Sequence, residues 1–256
     1  PRDAYVAVLP LTGQIINGES ADPPVDIPIP LVGGERMGDL SVVRQVRNLM
    51  KDEACKAVVL YIDSPGGSAT ASEAMTTALL ELGKKVPLVV VMAGVAASGG
   101  YYIATPADYI FAQPGTITGS IGVINAKLVA NEVYDKLHFN PYYYERGKNA
   151  AIFAPREPFT EEQRAKMRQS IERIYDQFIQ RVADARKMKT ESVDQLGGGR
   201  VWTGEQARDN GLVDELGGLY EGLAKARELA KLPADAPMSI VRGKGKPLPA
   251  QVAEQL

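Results

Sequence analysis

Two short stretches hold the residue types that acyl chemistry needs. "DSPGGSAT" runs from Asp63 to Thr70, and "AASGGYY" from Ala96 to Tyr102. Each follows an apolar run and leads into a helix-like one, so each reads as a glycine-rich strand-to-helix junction. In parallel α/β sheets, ligands bind where strands end and helices begin. A helix start offers free backbone N–H groups and a field that favours negative charge. An oxyanion formed during acyl transfer needs two such donors. Gly67 and Gly99 can supply them, because glycine lets backbone and substrate approach closely. Ser98, between Ala97 and Gly99, stands where a nucleophile would. Tight packing of strand on helix accounts for either turn alone. Two such turns on adjacent strands, one with a serine before its glycine pair, point further.

A serine nucleophile needs a base. The sequence has one histidine, His138 in "YDKLHFN", at the end of an amphipathic stretch. It reads as a helix-end residue rather than a general base. A lysine is the other option, provided that burial keeps its amine neutral. Serine–lysine pairs are a variant of the triad logic. Such an amine needs a hydrogen-bond partner, typically a serine hydroxyl. "PGTITGSIGVI" offers Ser120, with Gly119 and Gly122 around it. Asp63 and Ser64 read as turn-setting residues.

The elements that must position these groups alternate. Residues 4–15 read as a strand and 17–38 as a long Pro/Gly-rich loop. Asp39 is the expected cap of a following helix. Apolar runs at 56–63, 86–94 and 108–113 read as buried parallel strands, with helices after "SPGG" and from "AASGG". This is the βαβ signature of a parallel sheet. The second half is more helical. Thr160 with Gln163, and Thr203 with Gln206, form capping boxes. Met167, Ile171, Ile174, Phe178, Val182 and Ala185 line one face of a long helix between Thr160 and Lys187. "TGEQARDNGLVDELGG" reads as a short helix and then a strand or turn, and "LYEGLAKARELAKL" as an amphipathic helix. The stretch after Pro233 reads as a loosely held tail. No internal repeat is found.

Composition bounds the function. The chain has 256 residues, is 45% hydrophobic and 23% charged, and has a formal net charge of −2. That balance does not favour nucleic acid or an anionic membrane surface. The single cysteine, Cys55, allows no intrachain disulfide, and with one histidine it cannot complete a structural zinc site. No apolar run is long enough to span a bilayer. The opening "PRDAYVAVLPLTG" does not read as a signal peptide. No metal or cofactor is expected.

Four ordered motifs, "YIDSPGGSATASEA", "GVAASGGYYIATPAD", "TITGSIGVI" and "GRVWTGEQARDNGLVDELGG", resemble the signal peptide peptidase A (protease IV) family. The resemblance runs from about Ala4 to Leu232, which implies a catalytic domain over 1–232 and a tail over 233–256. The implied fold is α/β, a ClpP/crotonase-type β-superhelix with parallel strands and surrounding helices. The implied activity is that of a serine–lysine endopeptidase of the extracytoplasmic membrane face, degrading cleaved signal peptides. Homo-oligomers and membrane attachment through a segment outside this chain are implied as well. By the same resemblance Ser98 is the nucleophile, Gly67 and Gly99 are the oxyanion donors, and Ser120 holds the lysine amine.

The chain departs from the family at the lysine. Short members carry it three residues after a glycine, and here Ala150 stands three after Gly147. Long members divide the site, with the lysine in the N-terminal half and the serine in the C-terminal half. The second half of this chain resembles the latter. Three readings follow: a lysine from an absent half, which is favoured; Lys148 after a local shift; or replacement of the lysine by Ala150. Two rival functions stand beside the peptidase. One is an inactive assembly module. The other is an acyl-CoA enzyme on the same fold, which would want a carboxylate pair absent from the two glycine motifs.

Overall fold

A computed structural model of the chain describes residues 3–21 and 34–242. The larger part of the expected 17–38 loop and the end of the expected tail lie outside the described residues. In chain order the strands and helices are β1 (Tyr5–Thr12), β2 (Gln14–Ile16), β3 (Arg36–Gly38), α1 (Asp39–Leu49), β4 (Cys55–Ser64), α2 (Ala69–Gly83), β5 (Leu88–Ala97), α3 (Gly99–Tyr102), β6 (Tyr109–Ala112) and β7 (Ile117–Gly119). Then come α4 (Asn131–Lys136), α5 (Glu161–Arg186), α6 (Thr190–Leu196), β8 (Val201–Thr203), α7 (Gly204–Asp209), β9 (Glu215–Leu216), α8 (Leu219–Leu229) and β10 (Met238–Ile240).

Contacts divide the chain into two compact units, residues 1–122 with 178–256, and residues 123–177. Among the described residues of the first unit, the main sheet runs β10-β1-β4-β5-β6-β9, with β7 against β5 and β8 against β7. Every pairing in it is parallel except β7–β8. Parallel sheets are covered on both faces, so their strands read as unbroken apolar runs. In β4, Ala57 to Ile62 are all buried. Alternate residues Val6, Val8, Ala57, Val59, Tyr61, Val89 and Val91 form one cluster with Leu219, Leu223 and Ala226 of α8. Helix α8 lies so close that a Cβ on Gly222 would collide with Val91. The intervening residues, such as Val58, Leu60, Val90 and Met92, are equally buried.

Three local expectations change. Gly38, not Asp39, is the N-cap of α1; the Asp39 carboxylate instead accepts the Gly18 N–H at 2.7 Å and ties down the turn after β2. The helix from "AASGG" is only four residues long. Pro106 disfavours helical backbone at Thr105, whose hydroxyl donates to the Tyr102 carbonyl at 2.8 Å. Within the expected tail, Met238–Ile240 pair in parallel with β1. Both capping boxes are present, Thr160 with Gln163 and Thr203 with Gln206. The apolar stripe of α5 is fully buried at Phe178 and Val182, within the first unit.

The second unit, residues 123–177, is built differently. None of its residues is buried. It holds α4 and the start of α5, with ring contacts such as Tyr134 on Phe139 at 5.6 Å and the Lys127 amine 5.0 Å above Phe159. Ile124, Leu128, Leu137, Phe139, Tyr142 and Tyr144 are all exposed, Tyr144 at 98%.

Candidate active site

Because β4, β5 and β7 run parallel, the turns that follow them meet at one edge of the sheet. Ser64 pairs with Ala96, and Ala97 pairs with Gly119. Ser98 therefore sits between the "SPGG" turn on one side and Gly119–Ser120 on the other. Its N–H donates to the Gly119 carbonyl at 2.9 Å, and its carbonyl accepts the Tyr102 N–H at 2.9 Å. Its φ is +52°, a backbone region in which non-glycine residues are uncommon and strained. Ser120 is also in this region, at +48°, and its N–H donates to the Arg200 carbonyl at 2.7 Å. Both serines are half-buried, and among the described residues neither hydroxyl has a hydrogen-bond partner.

The glycines are there because nothing larger fits. A Cβ on Gly66 would lie 2.6 Å from the Gly99 nitrogen and 2.9 Å from the Ser98 Cβ. A Cβ on Gly67, whose φ is +151°, would strike the Ile15 carbonyl. That carbonyl accepts the Ser68 N–H at 2.9 Å, while the Ile15 N–H donates to Gly66 at 2.8 Å. Gly67 thus bridges to Ile15 through its neighbours' groups. Among the described residues neither the Gly67 nor the Gly99 N–H donates a hydrogen bond. Gly67 is exposed, and Gly99 starts α3. The two candidate oxyanion donors therefore lie on turns packed together, with Ser98 at the contact.

Polar side chains hold these turns. The buried Ser64 hydroxyl donates to the Gly13 carbonyl at 2.7 Å and accepts the Gly66 N–H at 3.2 Å. The Asp63 carboxylate accepts the Val95 N–H at 3.0 Å. Burial pushes the Asp63 carboxyl up, against the smaller opposing effect of that bond. Trp202 backs Gly119, since a Cβ there would lie 2.7 Å from its ring.

The remaining sequence candidates lie in the second unit. His138 follows α4, is exposed, and has φ +52°. Lys148 is on the surface of that unit, with its Nζ 2.7 Å from Glu162 Oε1 and its side chain 76% exposed. The Glu162 hydrogen bond and charge raise the lysine pKa. This is the opposite of what a neutral general base requires. Ala150 closes a turn, with its N–H on the Gly147 carbonyl at 3.2 Å.

Sequence reasoning missed a cluster behind Ser98, made of Glu73 on α2, Tyr102 on α3 and Arg181 on α5. The Tyr102 hydroxyl donates to Glu73 Oε2, and Arg181 Nη2 donates to Glu73 Oε1 at 2.5 Å. Burial would raise the Glu73 carboxyl, but the bonds from Tyr102 and Arg181 outweigh it and hold the group below its usual value. Arg181 lies 108 residues from Glu73, so no spacing rule connects the two. The aromatic end of "SGGYY" was the one available signal.

Comparison with known proteins agrees with this architecture. A Clp protease family model matches residues 35–116, the stretch holding both glycine turns, so the fold is the ClpP/crotonase-type α/β fold. Protease 4 of Salmonella typhi is 40% identical over 232 residues, covering 89% of this chain and 35% of that protein. The chloroplastic serine protease SPPA of Arabidopsis thaliana is 35% identical, over 78% of this chain and 30% of that protein. Protease 4 of Haemophilus influenzae is 36% identical, over 88% and 34%. The chain thus spans about a third of the length of these relatives. The Peptidase family S49 model matches residues 81–233, from the end of α2 through α8 and well over half of the sequence, and the chain belongs to that family.

Proposed function

We propose that the chain is the serine-bearing part of a serine–lysine endopeptidase acting on signal peptides and other membrane-derived peptides. The observation that carries this is the setting of Ser98, strained, half-buried and packed against the glycine turn after β4, with the Gly67 N–H of that turn and the Gly99 N–H of its own both undonated among the described residues. Ser98 Oγ attacks the scissile carbonyl carbon and gives its proton to a neutral lysine amine. The carbonyl oxygen becomes anionic and accepts the N–H groups of Gly67 and Gly99, a contribution of about 3–4 kcal/mol per donor. The C–N bond then breaks as the protonated amine passes its proton to the leaving nitrogen. An ester on Ser98 remains, and water activated by the same amine hydrolyses it. Ser120 holds the amine between these steps.

The base comes from a lysine-bearing half outside this chain. The exposure of Lys148 and its pairing with Glu162 favour that source over Lys148 itself. Residues 1–232 form the catalytic part, and the protein works at the extracytoplasmic face of a membrane. It assembles as an oligomer of this chain, a reading supported by the exposed apolar residues of the second unit, because monomers rarely leave such a surface open.

The alternative is an inactive assembly module, favoured by Ala150 at the family's lysine position. Hydrolysis of a Leu- and Ala-rich peptide separates the two. The chain together with a lysine-bearing half cleaves it, and Ser98→Ala lowers the rate by more than about 10³-fold. Absence of cleavage in that mixture overturns the peptidase reading.

A further inference from the structure

Tyr102 lies one turn after Ser98, and three helices meet on it. Its N–H donates to the Ser98 carbonyl at 2.9 Å. Its own carbonyl accepts from Thr105 at 2.8 Å and from Thr76 of α2 at 3.4 Å. Its hydroxyl donates to Glu73 of α2, and its ring meets Phe178 of α5 edge-on at 4.9 Å. Glu73 in turn receives Arg181 of α5, and Thr77 at 3.4 Å. Helix α2 also touches the turn directly, because a Cβ on Gly99 would lie 2.5 Å from Ser72 Oγ. Helix α3 is only four residues long and buries a residue pair, Tyr101 and Tyr102, at its end. So short a helix cannot hold its own geometry, and Ser98 at positive φ does not favour it. What fixes the turn must come from outside it.

We infer that Glu73 and Arg181 are positioning residues for Ser98, acting through Tyr102. The Arg181–Glu73 pair clamps the Tyr102 hydroxyl, Tyr102 clamps the Ser98 carbonyl, and the nucleophile is thereby held in its strained conformation. Glu73 and Arg181 side chains are each 32% exposed, so the clamp lies at the border of the core and not deep within it. Stability alone gives little reason for such a clamp. Two charges are ordered on separate helices where an apolar contact would pack as well. A preorganised nucleophile does need it, since small misplacements cost large factors in rate.

The role in catalysis rests on the serine peptidase reading; the role in holding the turn does not. The test uses Tyr102→Phe, Arg181→Met and Arg181→Lys. Hydrogen exchange of the 98–103 amides is read first. It should rise about tenfold in Tyr102→Phe and Arg181→Met, with less than a twofold change in β1 and β4. Arg181→Lys, which keeps a cation for Glu73, should recover most of the protection. The rate of Ser98 labelling by a fluorophosphonate, measured with a lysine-bearing half, should fall about tenfold with the reagent's reversible affinity unchanged. Unchanged exchange at 98–103 overturns the inference, and so does exchange that rises equally in β1 and β4. A loosened turn with an unaltered labelling rate overturns it too. If the unmodified protein does not label, the peptidase reading fails, and the exchange data alone decide whether the clamp holds the turn.

Discussion

The turns around Ser98 and the segment 123–177 are built on opposite principles. Around Ser98, backbone meets backbone so closely that single Cβ atoms are excluded at Gly66 and Gly67, the Ser72 hydroxyl excludes one at Gly99, and strands β4, β5 and β7 bring the turns together. In 123–177 no residue is buried, and the polar contacts are surface pairs such as Lys148–Glu162. The proposed nucleophile, Ser98, and the proposed oxyanion donors, Gly67 and Gly99, belong to the first kind of structure. Both lysine-position candidates, Lys148 and Ala150, belong to the second. On the proposed reading, the groups that would bind the electrophile are built into the fold, and the candidates for the proton acceptor are not.

The largest break in this contrast should come from Gly67→Ala. The added methyl meets the Ile15 carbonyl at a φ that disfavours alanine. The expected cost is about 2–4 kcal/mol in stability and about 10²–10³-fold in acylation, read by denaturant melts and labelling rates. Next is Arg186→Met. Arg186 forks onto Asp214 with bonds of 2.9 and 2.6 Å and is only 10% exposed. Asp214 also accepts the Ile110 N–H. Losing the cation leaves a carboxylate partly stranded, for about 2–3 kcal/mol, with labelling kinetics unchanged.

Two carboxyls give a smaller and opposite pair of pH effects. Glu73 is held below its unfolded value, so its contribution is present above pH 4.5 and fades as pH falls through the folded pKa. Asp63 is pushed above its unfolded value by burial, so its contribution is present below pH 3.8 and is lost as pH rises through the folded pKa. Asp63→Asn keeps an acceptor for Val95 and removes that loss. It should stabilise the protein at pH 7, and a lower midpoint of unfolding would count against this. The smallest effects belong to 123–177. Tyr144→Asp and Lys148→Met should each leave the monomer's midpoint of unfolding nearly unchanged. Tyr144→Asp should nevertheless dissociate the proposed oligomer in mass photometry, and Lys148→Met should leave peptide cleavage unchanged. A loss of cleavage in Lys148→Met would move the base back into this chain.

What the sequence made legible follows the range of the forces involved. Buried parallel strands announce themselves as unbroken apolar runs, and "KAVVLYID" became β4 with Ala57 to Ile62 wholly buried. Capping boxes are local, and both were readable. Short strands were not: β7, β8 and β10 each have three residues and exist only because a neighbour pairs with them. The positive φ of Ser98 was also illegible, because its contacts with Gly66, with the Gly119 carbonyl and with the Tyr102 N–H exist only in the folded chain. The Glu73–Arg181 pair joins helices 108 residues apart, beyond any periodicity. Asp39 matched a cap pattern, yet its carboxylate found Gly18, which only the folded turn brings near.

The most direct test is peptide mapping of the adduct formed when the protein, with a lysine-bearing half, reacts with a fluorophosphonate. A single adduct on Ser98, lost in Ser98→Ala and absent when the lysine-bearing half is withheld, is the expected result. An adduct on another residue, or equal labelling after Ser98→Ala, would contradict the assignment of Ser98 as the nucleophile.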